Sequence, residues 1–469
     1  MNKIMKNYIY TALYQLIIII NPIITMPYKA RILGPYNIGI YSYVISVYQY
    51  LLLFSAIGIN IYGRREIAYV KDDKSKTSKL LYELIILKLI LSISTILIFY
   101  LTFGLNSKYL IYYLIFIPDL IFNIFDLTWF YQGLEQFKKI SIINVISKTI
   151  NIFFIFIFIK TEKDLINYFI ITVIFDIIPI LIYVITIKNF IKRVELKTLK
   201  IFKHLKICLL LFIPQLLIQI YTVLNKILLG NMITDISEVG YYDYSYRIIS
   251  IAINIISAMS LVMIPIISKE YKNKKDKQIK KYMNNTIRFI LIISIPLTLG
   301  LIGISDNLVY IIFGKNYLSM ANLIKILSFI IVPIGITTMI GQQYLIPTKQ
   351  EKKFTIYIFI GTIINVLLNL ILIPKFSSIG TSISTLITEL AILLIEIPII
   401  KKVINKNIIK SILKYTLSSI IMFIIVYLIG LTNQTPLILI IQIIVGITTY
   451  MLFLIITKDD FLKELKSRK

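Results

Sequence analysis

The amino-acid sequence predicts an all-α polytopic membrane protein of about fourteen transmembrane helices. They form two parallel six-helix repeats around a central cavity, with two further helices at the C-terminal end. Three observations carry that prediction. Hydrophobic residues make up 58% of the 469 residues, far above the usual composition of a soluble domain. Lys and Arg crowd into every second gap between long apolar runs. Polar residues inside those runs recur at steps of three and four, so each set shares one helix face.

The apolar runs cover roughly 8–27, 36–61, 80–103, 109–131, 140–159, 165–187, 207–229, 240–267, 287–304, 321–346, 354–373, 380–400, 411–431 and 436–457. Each is long enough for one bilayer crossing, which needs about 20 apolar residues. The first run lacks a small-x-small cleavage site and leads straight into more apolar sequence. It therefore reads as a span rather than a cleaved leader.

With the N-terminus inside, 37 of the 50 Lys and Arg lie in inner segments, 7 in outer loops and 6 within helices. The gap after the second run holds Arg64, Arg65, Lys71, Lys74, Lys76 and Lys79. The gap after the eighth holds Lys269, Lys272, Lys274, Lys275, Lys277, Lys280 and Lys281, with Arg288 at its edge. Shifting the count by one helix breaks the alternation, so both termini are placed on the cytoplasmic side of the cytoplasmic membrane. A net charge of +27 on a soluble chain would suggest a nucleic-acid partner; here it records which side each loop faces, and no nucleic-acid partner is expected. The exceptions are informative: Lys29 and Arg31 outside, and Lys88, Lys148, Lys226, Arg247, Lys325 and Lys414 within helices.

Enzyme chemistry is not written in this chain. Cys208 is the single cysteine, so no intramolecular disulfide forms. His204, the single histidine, falls in a basic loop and is expected to be solvated. There is no phosphate-binding loop, no metal-ligand cluster and no nucleophile paired with a base, which leaves a secondary transporter without a bound cofactor.

Internal repetition supports two lobes. Arg31-Ile-Leu-Gly34 and Gly39-Ile-Tyr-Ser-Tyr43 follow the first run. Lys226-Ile-Leu-Leu-Gly230 and Gly240-Tyr-Tyr-Asp-Tyr244 follow the seventh. Lys138-Lys139 precede Asn151 by the interval that separates Lys352-Lys353 from Asn365, and Ser141 matches Thr355 in that register. The expected division is an N-lobe at 1–206, a C-lobe at 207–402, and two added helices with a basic tail at 403–469. An even number of helices per repeat keeps both in one orientation.

The polar stripes nominate a site. The second helix carries Ser42, Ser46 and Gln49. Moved by the offset of Gly39 to Gly240, these fall on Asp243, Arg247 and Ser250 of the eighth. The seventh carries Gln215, Gln219, Thr222 and Lys226, the fourth Asp119, Asn123 and Asp126, the fifth Asn144, Lys148 and Asn151, and the twelfth Thr385, Glu389 and Glu396. An ionised side chain at mid-bilayer costs about 2.5–3.5 kcal/mol even on a lenient scale, so such residues face the bundle interior or a wet cavity. Interhelical hydrogen bonding accounts equally for the Ser, Thr and single Asn residues, and Asp243–Arg247 reads also as a local i,i+4 pair. Lys29, Arg31, Lys148, Lys226 and Arg247 are candidate substrate cations. Asp119, Asp126, Asp243 and Glu389 are candidate coupling or gating acids, and Pro22, Pro214 and Pro333 are candidate hinges.

The stretch Pro27-Tyr-Lys-Ala-Arg31-Ile-Leu-Gly34-Pro-Tyr-Asn-Ile-Gly39-Ile-Tyr41, with Gly58 and Arg64-Arg65-Glu66-Ile67-Ala68, resembles the opening of bacterial O-antigen and capsule repeat-unit flippases. Trp129-Phe-Tyr-Gln-Gly133-Leu-Glu135-Gln-Phe-Lys138, Val239-Gly240-Tyr-Tyr242, Phe313-Gly314-Lys-Asn-Tyr317, and Asn369-Leu-Ile-Leu-Ile-Pro374 with Ile379-Gly380 continue the resemblance in order, fading after about residue 403. It implies the multidrug/oligosaccharidyl-lipid/polysaccharide exporter superfamily, whose members set two six-helix lobes around a V-shaped cavity. The implied substrate is an oligosaccharide on undecaprenyl diphosphate, moved from the inner to the outer leaflet. Polysaccharide polymerase and chain-length proteins are implied partners beside the membrane lipids. Related transporters often place an acid before the lysine that ends the seventh helix, whereas this chain has Asn225 before Lys226. That puts coupling to H+ or Na+ through this position in doubt. A drug exporter, a lipid II flippase and a non-transporting membrane scaffold are the competing readings.

Overall fold

The computed structural model describes residues 3–405, 408–457 and 459, and those residues form helices joined by short turns. In chain order the helices are α1 Lys3–Ala56, α2 Ile59–Val70, α3 Lys74–Phe99, α4 Leu110–Asn123, α5 Thr128–Gly133, α6 Phe137–Phe158, α7 Leu165–Thr186 and α8 Leu205–Met232. They continue as α9 Ser237–Lys272, α10 Asp276–Ile312, α11 Ser319–Ser328, α12 Ile331–Thr338, α13 Glu351–Val403, α14 Ile408–Gly430 and α15 Pro436–Ile456. Among the described residues, eleven helical segments are long and apolar enough to cross a membrane. The chain is thus an all-α polytopic membrane protein.

Two helices, α1 of 54 residues and α13 of 53, are each long enough for two crossings, and each contains a break. In α1 the break is Gly34, at φ 74° and ψ 168°. A positive φ suits glycine, and Pro35, which has no N–H to donate, follows it directly. In α13 the break is Ser377, at φ 51° and ψ −129°. There the backbone N–H of Ser378 donates to the Glu238 carboxylate at 3.3 Å, and the Ser378 hydroxyl donates to the same oxygen.

By packing, the chain divides into residues 1–227 and 228–469. The sequence places the lobe boundary at 206/207; the packing units meet later, inside α8. In the first unit α1 lies against α3, α4, α6 and α7, while α2 packs on α3 and α5. Ile67, Leu84, Trp129, Phe130, Tyr131, Tyr183 and Cys208 make one buried apolar cluster there. Gly58 explains how α8 joins it. At φ +76°, a Cβ on Gly58 would stand 2.4 Å from the Cys208 carbonyl oxygen, so only glycine admits that close approach.

In the second unit α10 packs on α9, α11 and α14, and α15 packs on α14. The two C-terminal helices are held by polar contacts as well as apolar ones. Asn307 Nδ2 donates to Gln442 Oε1 at 3.0 Å, Gln442 Nε2 donates to the Val426 carbonyl at 2.9 Å, and the Tyr450 hydroxyl donates to the Ile292 carbonyl at 2.8 Å. Without water to compete, such bonds hold helices together in lipid, at about 0.6 kcal/mol each.

Candidate functional site

The expectation for His204 is corrected by its burial. It is 2% exposed, with Nε2 at 2.8 Å from Glu83 Oε2 and Nδ1 at 2.7 Å from the Tyr62 hydroxyl. An ionised Glu83 only accepts, so Nε2 carries the proton and Nδ1 accepts from Tyr62. Burial holds the imidazole below its ordinary value, against the opposing pull of Glu83. The short basic segment before α8 is therefore a packed clasp. Lys203 Nζ stands 3.1 Å from Glu83 Oε2 and the Lys200 N–H donates to Oε1 at 2.8 Å.

Within the first unit the candidate charges gather on α1, α4, α6 and α7. Lys148 Nζ donates to Asp176 Oδ1 at 2.8 Å, and both side chains remain about one-third exposed, at 35% and 34%. The neighbouring Ser147 hydroxyl donates to the Phe175 carbonyl at 2.9 Å, which fixes the register of α6 on α7 and sets Lys148 beside Asp176. Asp119 is buried and accepts from the Tyr48 hydroxyl. Asp119 and Tyr14 each stand within electrostatic reach of Lys148, Asp176 and Asp126.

Asp126 has a structural duty. The fourth apolar run is two helices, α4 and α5, and Asp126 Oδ1 accepts from the Thr128 N–H at 3.0 Å and the Thr128 hydroxyl at 2.6 Å where α5 begins. The other end of the break is closed by Lys88, fully buried in α3, whose ammonium donates to the Asn123 carbonyl that ends α4. A cation at a helix C-terminus and an anion at an N-terminus both suit the helix dipole. Lys29 Nζ donates to the Tyr168 hydroxyl at 2.8 Å and lies 4.8 Å from that ring's centroid, while Arg31 is exposed on α1. Lys226 and Asn225 are buried in α8.

In the second unit Arg247 Nε donates to Asp243 Oδ2 at 2.9 Å, with Asp243 buried and Arg247 37% exposed. Lys325 pairs with Asp306 at 2.9 Å. Glu389 and Glu396 are buried on α13, and Glu396 Oε2 has no hydrogen-bond partner among the described residues. Nearby polar residues bond within or between turns: Asn369 Nδ2 to the Asn365 carbonyl at 2.9 Å, and the Thr385 and Tyr242 hydroxyls at 3.0 Å.

The hinge candidates fall in different settings. The helix runs unbroken through Pro22 and through position 214, whose side chain lies outside the described residues. Pro333 stands one turn beyond the break between α11 and α12 at 329–330, where its missing N–H leaves the Phe329 carbonyl without a helical donor.

The structure brings Lys148, Asp119 and Asp126 into one neighbourhood and joins Asp243 to Arg247. The sequence reading passed over Asp176, Tyr48 and Glu83. Asp176 had a readable signal, a lone acid inside an otherwise apolar run. Tyr48 had none, because a tyrosine in an apolar helix looks like packing.

Comparison with known proteins agrees with this architecture. A family model described as polysaccharide biosynthesis protein matches residues 4–271, and a second, MatE, matches 211–371. A protein of Escherichia coli (strain K12) named as an O-antigen transporter is 24% identical over 391 residues, covering 80% of this chain and 91% of its own. One of Haloferax volcanii named as a low-salt glycan biosynthesis flippase is 25% identical over 162 residues, 34% of each chain. Among solved structures, the lipid II flippase MurJ in an inward closed conformation superposes with a TM-score of 0.78 at 21% identity, covering 98% of this chain and 100% of its own. An inward-facing multidrug resistance MATE family transporter gives 0.66 at 15% identity, covering 83% and 94%. At these identities the structures share the fold.

Proposed function

This chain belongs to the polysaccharide biosynthesis protein family, and from that premise we propose that it is a flippase for oligosaccharide repeat units linked to undecaprenyl diphosphate. It moves them from the inner to the outer leaflet of the cytoplasmic membrane for surface polysaccharide assembly. The observation that carries the reading is a pair of half-open cations at membrane depth, Lys148 in one unit and Arg247 in the other. Each is bonded to one acid yet remains accessible, at 35% and 37%. A diphosphate headgroup needs fixed cations, and a guanidinium or an ammonium in a low-dielectric setting serves it well. The sugars need a wet polar surface, and the isoprenoid tail stays in the lipid.

Transport proceeds by alternating access of the two lobes, with Lys29, Arg31 and Lys226 as further headgroup contacts and Pro22, Pro214 and Pro333 as bending points. Coupling to H+ or Na+ runs through Asp119, Asp243 or Glu389 rather than Asp126, which closes the break before α5. Both termini face the cytoplasm, and polymerase and chain-length proteins receive the product. The test is a deletion strain: lipid-linked repeat units accumulate in the inner leaflet, and the wild-type gene restores surface polysaccharide. A deletion strain with normal surface polysaccharide and no accumulated intermediate overturns the proposal.

A further inference from the structure

We propose that Asp176 is a displaceable counter-ion, which occupies Lys148 while the site is empty and yields it to the substrate headgroup, so that only a multiply charged phosphate competes. The inference rests on the flippase reading and names the specificity element of that site.

The geometry separates this acid from a merely structural one. Glu83 shows what a structural acid looks like in the same unit: 1% exposed, taking the Lys200 N–H, His204 Nε2 and Lys203 Nζ together. Asp176 has, among the described residues, a single hydrogen bond, from Lys148 to Oδ1 at 2.8 Å. Its other oxygen takes no part, and its side chain and that of Lys148 are each about one-third exposed. A one-point ion pair that stays accessible is weak and exchangeable, because neither partner is sealed from a rival. Sealed pairs are costly to open, since the abandoned charge has nowhere to go.

The surroundings decide which rival succeeds. Asp119 stands within electrostatic reach of Lys148 and Asp176, so a second carboxyl faces the pair, and Asp126 lies within reach of Asp119. Both neighbours are already engaged, Asp119 by Tyr48 and Asp126 by Thr128, so neither replaces Asp176 on the lysine. A tethered carboxylate competes at the effective concentration of an intramolecular partner, in the millimolar range. An incoming monoanion offers Lys148 nothing that Asp176 does not. A diphosphate brings more charge and more acceptor oxygens, so it outbids the resident group. Tyr14, within electrostatic reach of both Lys148 and Asp176, supplies a neutral hydroxyl for the released carboxylate.

The experiment measures binding of undecaprenyl diphosphate and of phosphatidylglycerol, a singly charged phosphodiester lipid, to the full chain in nanodiscs, by native mass spectrometry. The wild type prefers the diphosphate. Asp176→Asn binds both lipids about three- to tenfold more tightly and narrows the preference. Lys148→Gln loses both, and the double variant matches Lys148→Gln. Asp176→Ser, which also removes the charge, repeats the measurement if Asp176→Asn does not fold. Unchanged or weaker binding by the charge-removing variant, or an unchanged preference, overturns the counter-ion role and leaves the flippase reading standing. Wild-type protein that binds neither lipid overturns both.

Discussion

The two units solve the problem of charge in a membrane differently. In the first, the ionisable groups at depth are paired across helices: Lys148 with Asp176, Asp119 with Tyr48, and Lys88 with the end of α4. In the second, Lys325 and Asp306 also pair across helices, but Asp243 and Arg247 pair along one helix, and α13 buries Glu389 and Glu396, with Glu396 Oε2 unbonded among the described residues. Cross-helix pairs tie the first unit together. A buried acid without a cation is a place where a proton or ion would be welcome. The difference gives the first unit its cross-helix pairs beside the Lys148 headgroup contact, and the second its buried acids beside the Arg247 headgroup contact.

The sharpest way to break that contrast is to remove its central cation. Lys148→Gln is expected to abolish surface polysaccharide at normal protein levels, measured by capsule or O-antigen staining; normal export would remove Lys148 from the site. Lys88→Met should remove the charged one of two donors to the Asn123 carbonyl, which keeps the Asp126 N–H at 3.0 Å, and destabilise the protein by about 1–3 kcal/mol, read by thermal unfolding in detergent. An unchanged midpoint would show that the broken helix needs no cap.

His204→Ala should cost a similar amount, about 1–3 kcal/mol, because Glu83 and Tyr62 each lose a partner. The pH dependence of stability has a definite sign. Burial lowers the folded-state value of His204, so below its ordinary value of about 6.5 the unfolded chain binds more protons than the folded one. Stability therefore falls as the pH is lowered from about 6.5 toward the folded-state value, and His204→Gln flattens that slope in unfolding experiments. Glu396→Gln should leave the unfolding midpoint nearly unchanged while altering the ion dependence of translocation in proteoliposomes. A large loss of stability would make it a structural residue. The smallest effect belongs to the Lys71–Glu135 pair at 2.6 Å, which is solvent-exposed. Glu135→Ala should not move the midpoint measurably.

Much of the membrane architecture was legible in the sequence because lipid imposes it. Apolar runs must be helical there. The stripe that links Asp243 to Arg247 was legible for the same reason, since a helix fixes which residues share a face. Pairings between helices were not. Asp176 lies 28 positions from Lys148, and nothing in either run states the register that brings them together. His204 was misread because loop composition says nothing about tertiary burial. The break at Asn123 was hidden because the apolar run continues through it; Asp126 was visible as a charge but not as the group that starts α5.

The bond from Lys88 to the Asn123 carbonyl has a consequence for biosynthesis. As α3 leaves the ribosome, its lysine has no acceptor at membrane depth, and the one it will use lies 35 residues further along the chain. Lodging α3 alone in lipid would strand that ammonium, whereas entering as a hairpin with α4 delivers donor and acceptor together. The two helices should therefore leave the insertion machinery as one unit. A pulling-force profile along the nascent chain would register that as one late peak rather than two.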